Sequence, residues 1–312
     1  MPRKYWLILI VLLAALIIGS VFSLNKNKAE KLPEIAAEGK VKVSASFYPL
    51  YYLLKEIGGD KVEVKNMTPA GAEPHDYEPT AADMAYLYDS RLIVLNGGGL
   101  EPWAADLDAN LNRDNNLLIR VGDGLMTKEM TEDGEVMRDP HVWLSPRLYS
   151  LMADKVVAAL VSVDGGNRDY YEQRLGDLKN RLNLLDSEYY RALSVCAGKN
   201  IITAHAAFAY LAEAYDLKQI AIAGLSPEAE PSPREMAEIV ESARAGEIKY
   251  IFFESLVSPK LAETIAREIG AQTLALNPLE GLTDREMSEG KDYFSVMRDN
   301  LSNLQTALSC QK

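Results

Sequence analysis

Three features of this sequence predict an α/β fold of two βαβ-type lobes with parallel sheets, joined by one long rigid helix. Short apolar runs alternate with helix-like segments of roughly 10–15 residues, as in parallel sheets built from βαβ units. From Asn167 to Val195 an apolar stripe at spacings of three and four crosses a stretch without proline. The chain's 312 residues are too many for one ordinary core and suit two domains.

The N-terminus stands apart. Arg3 and Lys4 precede an apolar run from Tyr5 to about Leu24. A signal-peptide core is ~7–15 residues and a spanning helix ~20. Residues 1–24 therefore read as a signal segment or an uncleaved membrane anchor. Val21-Phe22-Ser23 offers a small-residue cleavage site, and the absence of a cysteine after the run speaks against a lipid-modified one. Lys26, Lys28 and Lys31 follow, so charge flanks both sides and does not fix orientation. Residues 25–40 are polar with one proline and read as a linker, with the remainder exported.

The N-terminal lobe is expected over 41–165. Val41–Ser46, Val62–Met67, Leu92–Asn96 and Leu117–Val121 read as strands. Leu50–Ile57, Thr80–Tyr88 (capped by Thr80), Glu101–Leu107 and Pro146–Val163 read as helices. The segment Asp123–Arg138, rich in Asp, Glu, Gly and Met, reads as a surface loop. The linking helix is expected over 166–197. Its stripe is Leu175, Leu178, Leu182, Leu185, Tyr189 and Leu193, and ~29 residues span ~43 Å, enough to bridge two domains. A coiled-coil strand is the alternative, although no partner heptad array is present.

The C-terminal lobe is expected over 198–312. Its strands are Asn200–Ala204, Gln219–Ala223, Tyr250–Glu254 and Gln272–Leu276. Its helices are Ala206–Tyr215, Arg234–Ala245, Ser258–Ile269 (capped by Ser258) and Asp292–Leu308. Export permits disulfides, so Cys196 and Cys310 either pair, closing a long loop, or remain free thiols.

Chemistry concentrates at the three histidines. His75, His141 and His205 each lie after a predicted strand, where open α/β sheets bind ligands. Facing lobes would bring these loops into one interlobe cleft. Glu280 follows the last strand. Three imidazoles and one carboxylate satisfy the tetrahedral demand of zinc, although imidazole also suits copper, iron and nickel. Asp76 and Asp139, each near a histidine, could orient the rings or simply cap turns. The net charge of −12 argues against a nucleic-acid partner and is compatible with attracting cations. Neither a His-Glu-x-x-His pair, a Gly-x-Ser-x-Gly elbow nor a phosphate loop occurs, and Gly97-Gly98-Gly99 lacks dinucleotide spacing.

An ordered set of motifs resembles the metal-binding substrate-binding proteins of ABC transporters, the zinc and manganese cluster. It comprises Ser46-Phe47-Tyr48-Pro49-Leu50, Gly71 to Pro79, Asn96-Gly97 with Glu101, and Asp139-Pro140-His141-Val142-Trp143-Leu144. His205 to Tyr210, Ser226-Pro227 to Pro233 and Ile251 to Glu254 follow in the second half. The resemblance runs from about Lys40 to the C-terminus. It implies a non-enzymatic, extracytoplasmic receptor that binds a divalent ion between its lobes. Such a receptor delivers the ion to a membrane permease with its ATPase, and acts as a monomer. His75, His141 and His205 match the family's first three ligand positions, and Pro278 to Leu282 resembles zinc-binding members with a glutamate as the fourth, here Glu280. A histidine rather than a carboxylate at the third position points to Zn2+. The alternatives are a manganese or iron receptor or adhesin of the same fold, and a zinc hydrolase with three His ligands and a bound water; were Glu280 not a ligand, the fourth position would fall to a water or Glu254. Three departures stand out: Asp123–Arg138 has no histidine, Ala206 stands where an aspartate is common, and no lipid-accepting cysteine is present.

Overall fold

The computed structural model describes residues 39–132, 134–228 and 231–311. The apolar N-terminal run and nearly all of the linker lie outside them. Among the described residues no helix is long and apolar enough to cross a membrane.

The first lobe carries β1 (Val41–Ala45), β2 (Val62–Asn66), β3 (Leu92–Leu95) and β4 (Leu117–Arg120) in a parallel sheet of order β2-β1-β3-β4. Its helices are α1 (Tyr48–Gly58), α2 (Ala81–Asp89), α3 (Ala104–Asn110) and α4 (Pro146–Val163). The central strand β3 (Leu-Ile-Val-Leu) is wholly buried, as expected of a parallel strand covered on both faces. Helix α4 runs over the predicted span because its ends are marked. Ser145 accepts from the Leu148 amide, and Pro146 supplies a first-turn residue without an N–H.

The second lobe repeats the plan with β7 (Asn200–Thr203), β8 (Lys218–Ala221), β9 (Tyr250–Phe253) and β10 (Gln272–Ala275) in the parallel order β10-β9-β7-β8. Helices α6 (Ala209–Ala214), α7 (Pro233–Ala245), α8 (Lys260–Ile269), α9 (Asp284–Ser288) and α10 (Tyr293–Ala307) accompany it. Between the lobes runs α5 (Arg168–Ser194), whose 27 residues make a rod of ~40 Å. Its buried side chains are Tyr171, Leu178, Leu182, Leu185, Tyr189 and Leu193, with Leu175 partly buried. They pack on α1, α4 and α10 of this same chain, which disposes of the coiled-coil alternative.

Three expectations need correction, and one helix is additional. The segment read as a surface loop contains an antiparallel hairpin, β5 (Glu129–Glu132) with β6 (Glu135–Arg138). Helix α8 is not capped by Ser258: Pro259 stands at its N-cap with no side-chain bond. Helix α6 begins only at Ala209, because the Ala206 amide is held by Gly224 O. The short α9 went unread, although Thr283 and Glu286 form a capping box at its start. Cys196 and Cys310 are paired in a disulfide, tying the end of α5 to the residue run after α10.

Aromatic side chains close the seam between the lobes. Tyr149 of α4 stacks on Tyr293 of α10 at 4.2 Å, and the Tyr293 hydroxyl donates to Trp143 O at 2.7 Å. Trp143 Nε1 donates to Pro278 O at 2.7 Å, and the Gly71 amide to Leu282 O at 3.1 Å. The last two bonds fasten the loops bearing His141 and His75 to the loop bearing Glu280.

Candidate metal centre

In each sheet the chain leaves its first strand toward one neighbour and returns on the other side, so a crevice opens beyond the strand ends. In the second lobe that crevice lies between β7 and β9. The residues just past them are His205 and Glu254, and they touch. Glu254 Oε1 stands 2.7 Å from His205 Nδ1 and also accepts the His205 amide at 3.2 Å. In the first lobe Glu101 fills the crevice between β1 and β3. It accepts from Ser46 Oγ (2.6 Å), the Asn96 amide (2.7 Å) and the Gly97 amide (3.0 Å). Asn96 Nδ2 then donates to Pro140 O at 3.0 Å, bracing the residue before His141.

His141 stands beyond β4, at the N-cap of a single 3-10 turn, Val142–Leu144. Asp139 Oδ1 accepts its amide at 2.9 Å and lies 2.8 Å from Nδ1. His75 lies in the loop after β2, where the Glu73 carboxylate accepts its amide at 3.3 Å. That loop is pinned at its far end by the Thr80–Asp83 capping box.

Every predicted site residue is brought to one place. His75, His141, His205 and Glu280 each offer a ligand-type atom within 4.8 Å of the others. Glu280 Oε1 is the hub. It stands 3.0 Å from His141 Nε2, 3.2 Å from His205 Nε2 and 3.5 Å from His75 Nε2. The two buried histidines face each other Nε2 to Nε2 at 3.3 Å. Atoms bound tetrahedrally to zinc at ~2.0–2.1 Å stand ~3.3 Å apart, close to the three distances from Glu280 Oε1 and to the His141–His205 distance, whereas the widest pair of the set must draw together around an ion. Among the described residues, His75 Nε2 and the Glu280 Oε2 atom are buried without a hydrogen-bond partner. Buried orphans of this kind are rare unless a ligand satisfies them.

The same groups perturb one another electrostatically. Burial alone would lower the His205 pKa, but the charges of Glu254 and Glu280 and the bonds to them carry it well above the ordinary value. His141 follows the same balance, burial against Asp139 and Glu280, with a net rise. His75, with burial dominant, is lowered. Burial opposes ionisation of Glu280, yet the three imidazoles hold it well below the carboxylate range. Glu73, buried and facing the charge of Glu280, is pushed up to about 9. With Nδ1 of His141 and His205 engaged by carboxylates, Nε2 is left to face inward, the arrangement that orients imidazole toward a metal.

Two second-rank expectations diverge. Asp139 orients His141 as one of its readings had it, whereas Asp76 is solvent-exposed. Ala206, where an aspartate is common, can make no polar side-chain contact, and the carboxylate on His205 is that of Glu254. Its signal was available: it follows β9 directly, as His205 follows β7. Glu73 and Glu101 carried no such signal, since a lone loop acid is ordinarily solvated. The residue of unusual backbone beside Glu280 is Leu279, at φ 60°, while Gly281 is packed against Ala72 O and Leu256.

Residues 43–307 match the family described as zinc-uptake complex component A, periplasmic. The chain belongs to this family. The high-affinity zinc uptake system protein ZnuA of Bacillus subtilis is 36% identical over 280 residues, covering 86% of this chain and 88% of that protein. The zinc-binding lipoprotein AdcA of Streptococcus pneumoniae is 37% identical over 279 residues, covering 86% of this chain but only 56% of the relative, so the present chain spans little more than half of it. The crystal structure of the Zn(II)-bound ZnuA-like domain of that AdcA superposes with a TM-score of 0.76 at 37% identity, covering 86% of this chain and 99% of that one.

Proposed function

We propose that this chain is the extracytoplasmic zinc receptor of an ABC importer. It captures Zn2+ between its lobes on His75, His141, His205 and Glu280 and delivers it to a permease coupled to an ATPase. The observation that carries this reading is the convergence of three imidazole Nε2 atoms on one buried carboxylate oxygen. A nitrogen-rich set favours zinc over the harder manganese. With Glu280 in the fourth position, the ion has no open site for an activated water, so the reading is a binding protein and not a hydrolase. The Cys196–Cys310 disulfide suits an exported chain, and the N-terminal segment would tether or export it. We take the lobes as 41–165 and 198–312, acting as a monomer around the helix of 166–197.

Native mass spectrometry with a panel of divalent ions at equal free concentration tests this. One zinc per chain is expected, with manganese retained far less. Replacing His75, His141 or His205 by Ala removes most of the affinity, and Glu280→Ala less, since a water or chloride can fill that corner. Preferential manganese retention, or wild-type zinc affinity in His205→Ala, overturns the reading.

A further inference from the structure

The hairpin β5–β6 leaves the first lobe between Lys128 and Asp139, which flank the ladder one step beyond its last pair, Glu129–Arg138. Two facing residues of a hydrogen-bonded antiparallel pair ordinarily exchange two N–H···O bonds. Here only one is direct: the Asp139 amide donates to Lys128 O at 3.0 Å. The other runs through a side chain of the opposite lobe. The Lys128 amide donates to Tyr210 Oη at 3.2 Å, and that hydroxyl donates to Asp139 O at 3.0 Å. A phenol from α6 is thus inserted as a rung of a ladder that belongs to the first lobe. Tyr210 and Asp139 are both buried. The accompanying Lys128–Glu213 pair is solvent-exposed and contributes little.

The position of this rung matters. Asp139 is the residue whose carboxylate orients His141, and Tyr210 lies on the helix that follows His205. We propose that Tyr210 is a positioning residue that latches the lobes together. Its hydroxyl locks the base of the hairpin only when the lobes are closed, and so holds Asp139 and His141 in the geometry that retains the ion. When the lobes part, the Lys128 amide and the Asp139 carbonyl lose the phenol and the hairpin base is released. The latch rests on the zinc-receptor reading above and adds to it a determinant of how slowly the ion leaves.

The test uses the full chain, Tyr210→Phe and a control, Tyr171→Phe, whose hydroxyl donates to Asp164 at the start of α5. Zinc release into excess chelator is followed by stopped flow, and association is measured separately. Tyr210→Phe should release zinc about ten-fold faster, as loss of a buried hydroxyl's bonds suggests, with association unchanged and the control like wild type. The cobalt(II) complex of Tyr210→Phe should show altered ligand-field bands, a readout that a merely structural hydroxyl would not move. In the wild type, hydrogen exchange of the Lys128 amide should slow on zinc binding, a measurement that needs no variant. Wild-type release by Tyr210→Phe, equal acceleration in the control, or Lys128 exchange indifferent to zinc overturns the latch. A wild type that binds no zinc overturns the receptor reading instead.

Discussion

At the residue scale the proposed site would set a proton against a cation for the same nitrogen atoms. His141 and His205 have raised pKa values among the carboxylates of Asp139, Glu254 and Glu280, which favours their protonated forms in the metal-free chain. His75 is lowered and Glu280 stays ionised, so neither adds a proton to the exchange. Metal binding should therefore expel protons, and apparent affinity should rise with pH. Because both shifts are upward, the rise should continue above the ordinary histidine value of ~6.5. Titration calorimetry in buffers of different ionisation enthalpy gives the proton count, and chelator competition from pH 5 to 8 gives the slope. A flat profile contradicts histidine ligation. The histidines were legible in the sequence because only three exist and each follows a strand. Glu254 was half legible. Glu73 and Glu101 were not, because the place of Glu73 near the charge of Glu280 and the bonds of Glu101 to the Asn96–Gly97 turn arise only on folding.

At the scale of elements, the loop carrying His75 depends on the start of α2. Asp83 accepts from the Thr80 amide (2.9 Å), Thr80 Oγ1 (2.6 Å), Tyr77 Oη (2.7 Å) and Lys65 Nζ (2.8 Å). It fastens both the helix and a residue two positions from His75. Asp83→Ala should cost about 1–2 kcal/mol, a cap and its shared bonds, and lower the melting temperature by roughly 3–8 °C. Zinc affinity should fall less than for a histidine loss, because no ligand is removed. Thermal melts with and without zinc separate the two effects. This cap was readable because Thr80-x-x-Asp83 precedes an apolar-periodic stretch. The hairpin was not read, since neither of its strands buries an apolar face that would mark a period of two. Val136 is 66% exposed, and the Asp133-Gly134 pair was the one turn signal available. Cap residues and apolar stripes are local, so they reach the sequence reader. A strand held by a phenol from another lobe is not local and leaves no pattern.

At the scale of the whole molecule, the two-lobe plan follows from length and alternation, whereas the way the lobes meet does not. The bonds Trp143–Pro278, Gly71–Leu282 and Tyr52–Asp292 join residues far apart in the chain, and nothing in their own neighbourhoods announces them. The cysteine pair is a covalent long-range link of the same kind, joining the end of α5 to the run after α10. Cys196 and Cys310 face each other in an isolated antiparallel bridge, and the Gly198 amide donates to Leu308 O at 3.0 Å beside them. The sequence separation is 114, and closing so long a loop in the unfolded chain is worth about 4–5 kcal/mol by chain entropy, with measured values nearer 2–4. The double variant Cys196→Ser/Cys310→Ser should therefore melt roughly 5–15 °C lower than wild type by calorimetry. Zinc affinity by chelator competition should stay within about two-fold, since the bond restrains the unfolded chain and touches none of the groups around Glu280. Reduced wild type should match the double variant. An unchanged melting temperature would mean that the backbone bridge already holds the C-terminus against α5 without the bond. A large loss of affinity would mean instead that the pair helps to set the closed arrangement of the lobes, and the metal-binding and folding equilibria would then share one constraint.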